Sequence, residues 1–409
     1  MRKAWLAALF VALAGAAFAQ RTLQVVWFTE SPTEQAIFDR YVKMYEAANP
    51  GTKVEVTYVP FQQLTQKLQL MVAGNTPPDV ARVVTANIAE FDPVALDLAA
   101  YVDPSSFLNQ FLPSQIPYIY RKPRIIGAPL DVTANGIFYN KDCFDEAGIR
   151  VPTNSLQVWT WEQWREAMDR VRNNSRCRFA LSYDFTTHRF STLLYAAGGR
   201  FIDPSGKRFA IDSPEGLRAL SFFADLFKDG FIPKGQWLSN DDPSTLFRSG
   251  QSAMYMSGNW NVAQFSQVRN FNWGVMPLPR DKIRSTVPGG KFVMGFKGSK
   301  NPNEAAKFIL WLTSKEINLP FSKDNMVLSA RKDAKGMKYG QFDDAIAVFL
   351  SDLSVTPSYV GQDWSNPVMA RLNTFIRSEI VKVLLGQQSP KQALETIQAE
   401  GDKQLRLLR

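Results

Sequence analysis

The chain has 409 residues, 45% of them hydrophobic and 21% charged, a balance that supports two folded domains with real cores and excludes disorder as the default state. The formal charge is +9, yet no block of five or more basic residues occurs. The excess therefore reads as dispersed surface charge, not as a footprint for nucleic acid.

Arg2 and Lys3 precede the apolar run Ala4 to Phe18, which closes on the small-x-small triplet Ala17, Phe18, Ala19. This pattern predicts a secretory signal peptide cleaved after Ala19. The run is shorter than a comfortable membrane span, and no later stretch approaches the ~18 apolar residues a transmembrane helix needs. No cysteine sits just after the cleavage point, so no lipid attachment is expected, and a soluble periplasmic protein is.

A β-branched and aromatic strand, "TLQVVWF", leads to "SPTE", in which Ser31 caps a helix, Pro32 takes its first position and Glu34 completes a capping box. Ile37, Tyr41, Met44 and Tyr45 mark its apolar face. Asn49, Pro50 and Gly51 end it, and "KVEVTYV" alternates as a second strand. Leu64, Leu68, Met71 and Val72 mark a second helix, "PPDVARVV" a third strand, and this alternation predicts an α/β domain. The polar, glycine-containing "GAPLDVTANGIFYN" (127–140) is a candidate crossing between domains. Farther on, Ser213 and Pro214 open a helix with Leu217, Leu220, Ala224 and Phe227 on one face, closed by Gly230. "VPGGKFVMGF" (287–296) is a second candidate crossing, and helices begin near Pro367 and at Ser389 with Pro390.

Catalytic signals are sparse. One histidine, His188, excludes two-histidine metal sites within the chain, and Cys143 and Cys177 lack C-x-x-C spacing. Those cysteines fit either one disulfide or two separate buried thiols. No phosphate loop or dinucleotide fingerprint occurs, while a glycosidase carboxylate pair stays open because 38 acidic residues are present. Aromatic residues are abundant: ten Trp, twelve Tyr and 29 Phe. Sugars have apolar ring faces and polar rims, so flat side chains beside hydrogen-bonding groups suit them. Trp27 and Trp311 read as core. Trp260 follows Gly258 and Asn259 at a turn, where backbone can approach a ligand.

Several segments together resemble the extracellular solute-binding proteins of ATP-binding cassette importers, in the sugar-handling branch. "QKLQLMVAGNTPPDV" is similar to the family's G-x-x-P-D-V box and "GIFYNKDCFDEAGI", followed by "TWEQW", to its Y-N-K-D motif. "LFRSGQSAMYMSGNW" resembles its G-x-W segment and "GQQSPKQAL" its C-terminal box. The matches run in family order from about residue 22 to 400.

The resemblance implies a two-lobed α/β periplasmic binding protein fold, with a ligand cleft between lobes joined by crossing strands and closing about a hinge. The expected division is 20–131 with 289–335, and 132–288 with 336–409. It implies a monomer that binds a mono- or oligosaccharide and hands it to membrane permease subunits, with no catalysis, cofactor, metal or nucleic acid. The alternatives are a binder of a phosphorylated polyol or sugar, such as a glycerol phosphate derivative, and a secreted glycoside hydrolase.

By the resemblance, Trp260 stacks on a sugar ring, aimed by Gly258 and Asn259. Arg82, Thr85 and Asn87 after P-D-V, Asp131, Thr133 and Asn135 in the first crossing, and Gly289 and Gly290 in the second face the ligand. Glu30, Gln62, Asp184, His188, Arg331 and Trp364 complete the expected contacts. Asp79 is expected to bond nearby backbone instead. Ser329 and Ala330 precede Arg331, where relatives often carry proline.

Overall fold

The computed structural model describes residues 21–29, 31–85, 87–152, 157–238 and 241–408; the export signal and Glu30 lie outside them. Strand β1 (Arg21–Phe28) runs parallel to β2 (Thr52–Val59) and β3 (Val80–Val84). A hairpin of β4 (Tyr120–Arg121) and β5 (Arg124–Ile125) precedes the long strand β6 (Ala128–Asn140). The remaining strands are β7 (Phe179–Tyr183), β8 (Ser252–Gly258), β9 (Trp273–Met276), β10 (Pro288–Gly295) and β11 (Leu328–Ser329). They join in the order β2-β1-β3-β10-β6-β8-β7, with β11 and β9 also on β6.

The thirteen residues of β6 extend about 40 Å, long enough to serve two lobes. The strand changes partner midway: Ala128 to Ala134 pair with β10, whose Pro288 lies opposite Ala134, whereas Asn135 to Tyr139 pair with β8. β11 joins the first half and β9 the second. The chain crosses where neither half-sheet holds it exclusively, and the Thr286 hydroxyl donates to the Asn135 carbonyl at that point (2.8 Å).

Each half has its own aromatic core. In the first, Trp27 stacks on Phe38 of helix Pro32–Ala48 (3.7 Å between centroids, 7° between planes). In the second, Phe138 packs edge-on to Phe265 and beside Phe349 of helix Asp343–Val355. Gly136 makes this approach possible, since a Cβ there would lie 2.3 Å from the Phe349 ring.

Local signals hold at the caps. Ser31, Thr160, Ser213 and Ser389 each accept an N–H of the first helical turn, and Thr160 and Ser389 form full capping boxes with Gln163 and Gln392. Glu34 behaves differently from the capping-box expectation, because its carboxylate is taken by Arg82 (2.6 Å). Apolar faces are rotated slightly from the periodic reading. Met44 and Leu217 are exposed, while Phe38, Phe223 and Leu226 are buried; helix Pro214–Lys228 packs on helices Thr187–Ala196, Pro367–Leu384 and Pro390–Leu407, and they set its buried face. Trp27 is fully buried, whereas Trp311 is only half-buried, edge-on to Tyr45.

Cys143 and Cys177 form a disulfide. Asp79 accepts the backbone N–H groups of Gln24 (2.7 Å) and Asn301 (3.3 Å), 55 and 222 residues away, so it bonds backbone as expected, but backbone brought to it by the fold and not that of its own loop. Among the described residues no helix is long and apolar enough to cross a membrane.

Candidate functional site

Thr85 follows the end of β3, Thr133 lies on β6, Gly289 on β10, and His188 in the first turn of helix Thr187–Ala196. These four converge. A Cβ on Gly289 would lie 2.6 Å from the Thr133 hydroxyl oxygen, 3.4 Å from that of Thr85 and 3.6 Å from His188 Nε2. The bare glycine keeps this space open. Thr85 is fixed by donating its N–H and hydroxyl to the Gly290 carbonyl (3.0 and 3.2 Å). Asn135 holds the helix that carries the histidine, donating to the His188 carbonyl (3.2 Å) and the Thr192 hydroxyl (2.7 Å).

His188 meets Trp364 edge-on at 4.7 Å, and the buried Trp364 Nε1 has no hydrogen-bond partner among the described residues. Lost solvation and the neighbouring Arg189 cation hold the His188 pKa well below the usual value, so the ring is neutral near pH 7. Its Nδ1 lies 3.3 Å from Arg189 Nη1, and a guanidinium can only donate. The ring proton therefore sits on Nε2, the nitrogen nearest Gly289.

β8 ends at Gly258, and the half-buried Trp260 opens the short helix Asn261–Phe265. Its indole lies over Gly258, where a Cβ would fall 2.0 Å from Cζ3. The Arg189 guanidinium lies 4.7 Å from the indole centroid, and Asp184 bonds Arg189 Nε at 3.2 Å. Asp184 also accepts the hydroxyls of Tyr255 and Ser257, both at 2.6 Å. Arg189 was not singled out in the sequence; an arginine next to a histidine in a helix carries no local signal of what lies above it.

Other expected contacts have different surroundings. Arg82 is buried, bonding the Phe28 carbonyl and Glu34 (both 2.6 Å) and stacking over the Phe28 ring (4.5 Å). Asp131 faces Lys291 Nζ at 3.6 Å and Arg82 at 3.9 Å, and burial raises its pKa against the pull of both cations. Asn87 is turned inward, accepting the Val84 N–H (2.9 Å) and donating to Thr65 (3.0 Å).

Asn259 clips the crossing strand. Its Oδ1 accepts the Ala134 N–H (2.8 Å), its own N–H donates to the Ala134 carbonyl (3.1 Å), and its Nδ2 donates to the Val132 carbonyl (3.4 Å). Gly290 packs against Gln115, whose Oε1 would be 2.4 Å from an added Cβ, while Gln115 Nε2 donates to the Gly289 carbonyl. Gln62 is exposed on a short 3₁₀ turn.

The structure does not bring Arg331 to the group. Its guanidinium is spent on Asp333, Gln110 and the Thr313 carbonyl, because the segment after β11 folds against helix Pro302–Leu312 and the loop at Phe111. Two surface concavities, of about 860 and 620 Å³, lie beside β9 and around Phe111. None of the described candidate residues lines either one.

The family and the fold are shared with known proteins. The model of the bacterial extracellular solute-binding protein family matches residues 29–318. The chain belongs to that family. It is 23% identical over 428 residues to the sn-glycerol-3-phosphate-binding periplasmic protein UgpB of Salmonella typhimurium, covering 98% of this chain and 96% of that one.

Among solved structures, the ABC substrate-binding protein Lmo0181 from Listeria monocytogenes, in complex with cycloalternan, superposes with a TM-score of 0.83. It is 23% identical and covers 94% of this chain and 99% of that one. The GacH receptor of Streptomyces glaucescens, described unliganded and with acarbose, gives 0.81 at 22% identity, covering 94% and 99%. The fold is the two-lobed one of these binding proteins.

Proposed function

We propose that the protein is the carbohydrate-binding component of an ABC importer, exported to the periplasm after cleavage at Ala19, and that it delivers a mono- or oligosaccharide unchanged to membrane permease subunits. Lobes 20–131 with 289–335 and 132–288 with 336–409 close about the crossings. The observation that carries the reading is the convergence of Thr85, Thr133, Gly289 and His188 at the crossing, with the Trp364 indole edge-on to His188 and the Trp260 indole against the neighbouring Arg189. Flat apolar faces beside small hydroxyl and N–H donors suit a pyranose ring and its rim. Relatives in complex with cycloalternan and acarbose support the same ligand class.

Charge balance favours a neutral ligand. Arg82 faces Glu34, Lys291 faces Asp131, Arg189 faces Asp184 and Arg331 faces Asp333. A phosphorylated polyol is the second reading, because UgpB relatives align over nearly the whole chain. Tryptophan fluorescence against a panel of sugars and sugar phosphates separates the two. A neutral sugar binds with little dependence on salt between 10 and 500 mM, whereas affinity for a phosphate falls steeply over that range.

Trp260→Ala lowers affinity for the bound sugar by on the order of tenfold or more, as expected for a lost ring contact of about 1.5 kcal/mol. Equal binding by parent and variant refutes the stacking role. An oligosaccharide recovered intact after incubation supports a binder over a glycoside hydrolase.

A further inference from the structure

We propose that Arg189 is a positioning residue that pre-sets the Trp260 indole before any ligand arrives, with Asp184 as its anchor. The inference deepens the binding reading above and rests on Trp260 belonging to the site. Arg189 is 5% exposed, and the preceding helix cap fixes its backbone, because its N–H donates to the Thr186 hydroxyl (3.1 Å). Its guanidinium is held from two sides, by the Asp184 carboxylate at Nε (3.2 Å) and by His188 Nδ1 at Nη1 (3.3 Å).

The carboxylate is itself immobilised. The hydroxyls of Tyr255 and Ser257, both on β8, donate to its two oxygens at 2.6 Å, and its backbone N–H donates to the Met256 carbonyl. Sheet geometry therefore propagates through Asp184 to Arg189, and from Arg189 to the indole 4.7 Å away.

The indole has little freedom left. Gly258 lets it lie against bare backbone, and the planar cation is attracted to the ring quadrupole. The same guanidinium touches His188, which in turn meets Trp364. A single cation thus links three of the aromatic groups proposed to face the ligand. Fixing them in the empty protein removes ordering cost from the binding step.

Lysine cannot replace this arginine. Its ammonium lacks the rigid fork that bonds Asp184 through Nε and His188 through Nη1 while Cζ stays over the ring.

The test uses the full mature protein labelled with 5-fluorotryptophan and observed by ¹⁹F NMR without ligand, the Trp260 resonance being assigned by its loss in Trp260→Phe. In Arg189→Met the Trp260 resonance shifts and gains a larger H₂O/D₂O solvent effect, while the Trp311 resonance stays in place. Arg189→Lys fails to restore it, and Asp184→Asn moves it in the same direction. With maltose and any other sugar that the parent binds, Arg189→Met loses affinity by on the order of tenfold.

A folded Arg189→Met or Arg189→Lys protein with the parent's Trp260 resonance overturns the proposal. If Arg189→Met does not fold, Arg189→Lys and Asp184→Asn decide alone. A shifted resonance in a protein that binds no sugar supports the positioning role while refuting the carbohydrate reading. Sugar binding with an unmoved resonance does the reverse.

Discussion

Asp363 neighbours Trp364 and shows how single residues near the site carry measurable consequences. Its carboxylate is buried and accepts the Phe201 N–H (2.8 Å) and the Tyr195 hydroxyl (3.1 Å). Burial nevertheless dominates and pushes its pKa up to about 6. The unfolded value is about 3.9, so the folded state holds the proton more tightly. This group's contribution to stability is fullest below the unfolded pKa and is lost as pH rises through about 6, a total of roughly 3 kcal/mol. Asp363→Asn removes that slope, and urea midpoints measured from pH 4 to 7 in parent and variant check it. His188 shifts the other way, so it stays neutral in the fold until the pH falls well below its ordinary range.

At the scale of elements, the meeting of β6 and β8 decides where the lobes join. Asn259 is fully buried and satisfies three backbone groups of the crossing strand, at Val132 and on both sides of Ala134. Asn259→Ala keeps the backbone bond and removes both side-chain ones, taking from the buried Ala134 N–H the acceptor it has here and from the Val132 carbonyl a donor. The expected cost is about 1–3 kcal/mol per orphaned group, read as a lower urea midpoint with the m-value unchanged. The sequence reading gave this asparagine a part in aiming the indole and a place among the ligand contacts. In the structure its described side-chain bonds go to the crossing strand. The distinction arises because its partners lie some 125 residues earlier in the chain, and nothing local to "SGNW" reveals them.

For the whole molecule, β6 pairs into both half-sheets, while the C-terminal helices touch both sides. Tyr118 in the first half donates its hydroxyl to the Gly361 carbonyl of helix Ser358–Ser365 (3.1 Å), and Asp363 on the same helix binds Phe201 and Tyr195 of the second. A ligand that contacts both lobes stabilises the closed arrangement over the open one and so shifts the population. Small-angle scattering is expected to show a smaller radius of gyration on adding the bound sugar, and a lesser change in Trp260→Ala at the same sugar concentration. An unchanged radius at saturation would contradict hinge closure.

Periodicity and cap chemistry alone located the first strands and helices and the caps at Ser31 and Ser213, because these depend on neighbours within a few residues. Motif order along the chain determined the family. Tertiary structure decided which polar residues meet. Arg82 turned to Glu34 and Phe28, Arg331 to Asp333 and Gln110, and Arg189 came to lie over Trp260. A buried charge or indole takes whatever partner packing brings within reach, and those partners come from strands and helices far apart in the chain.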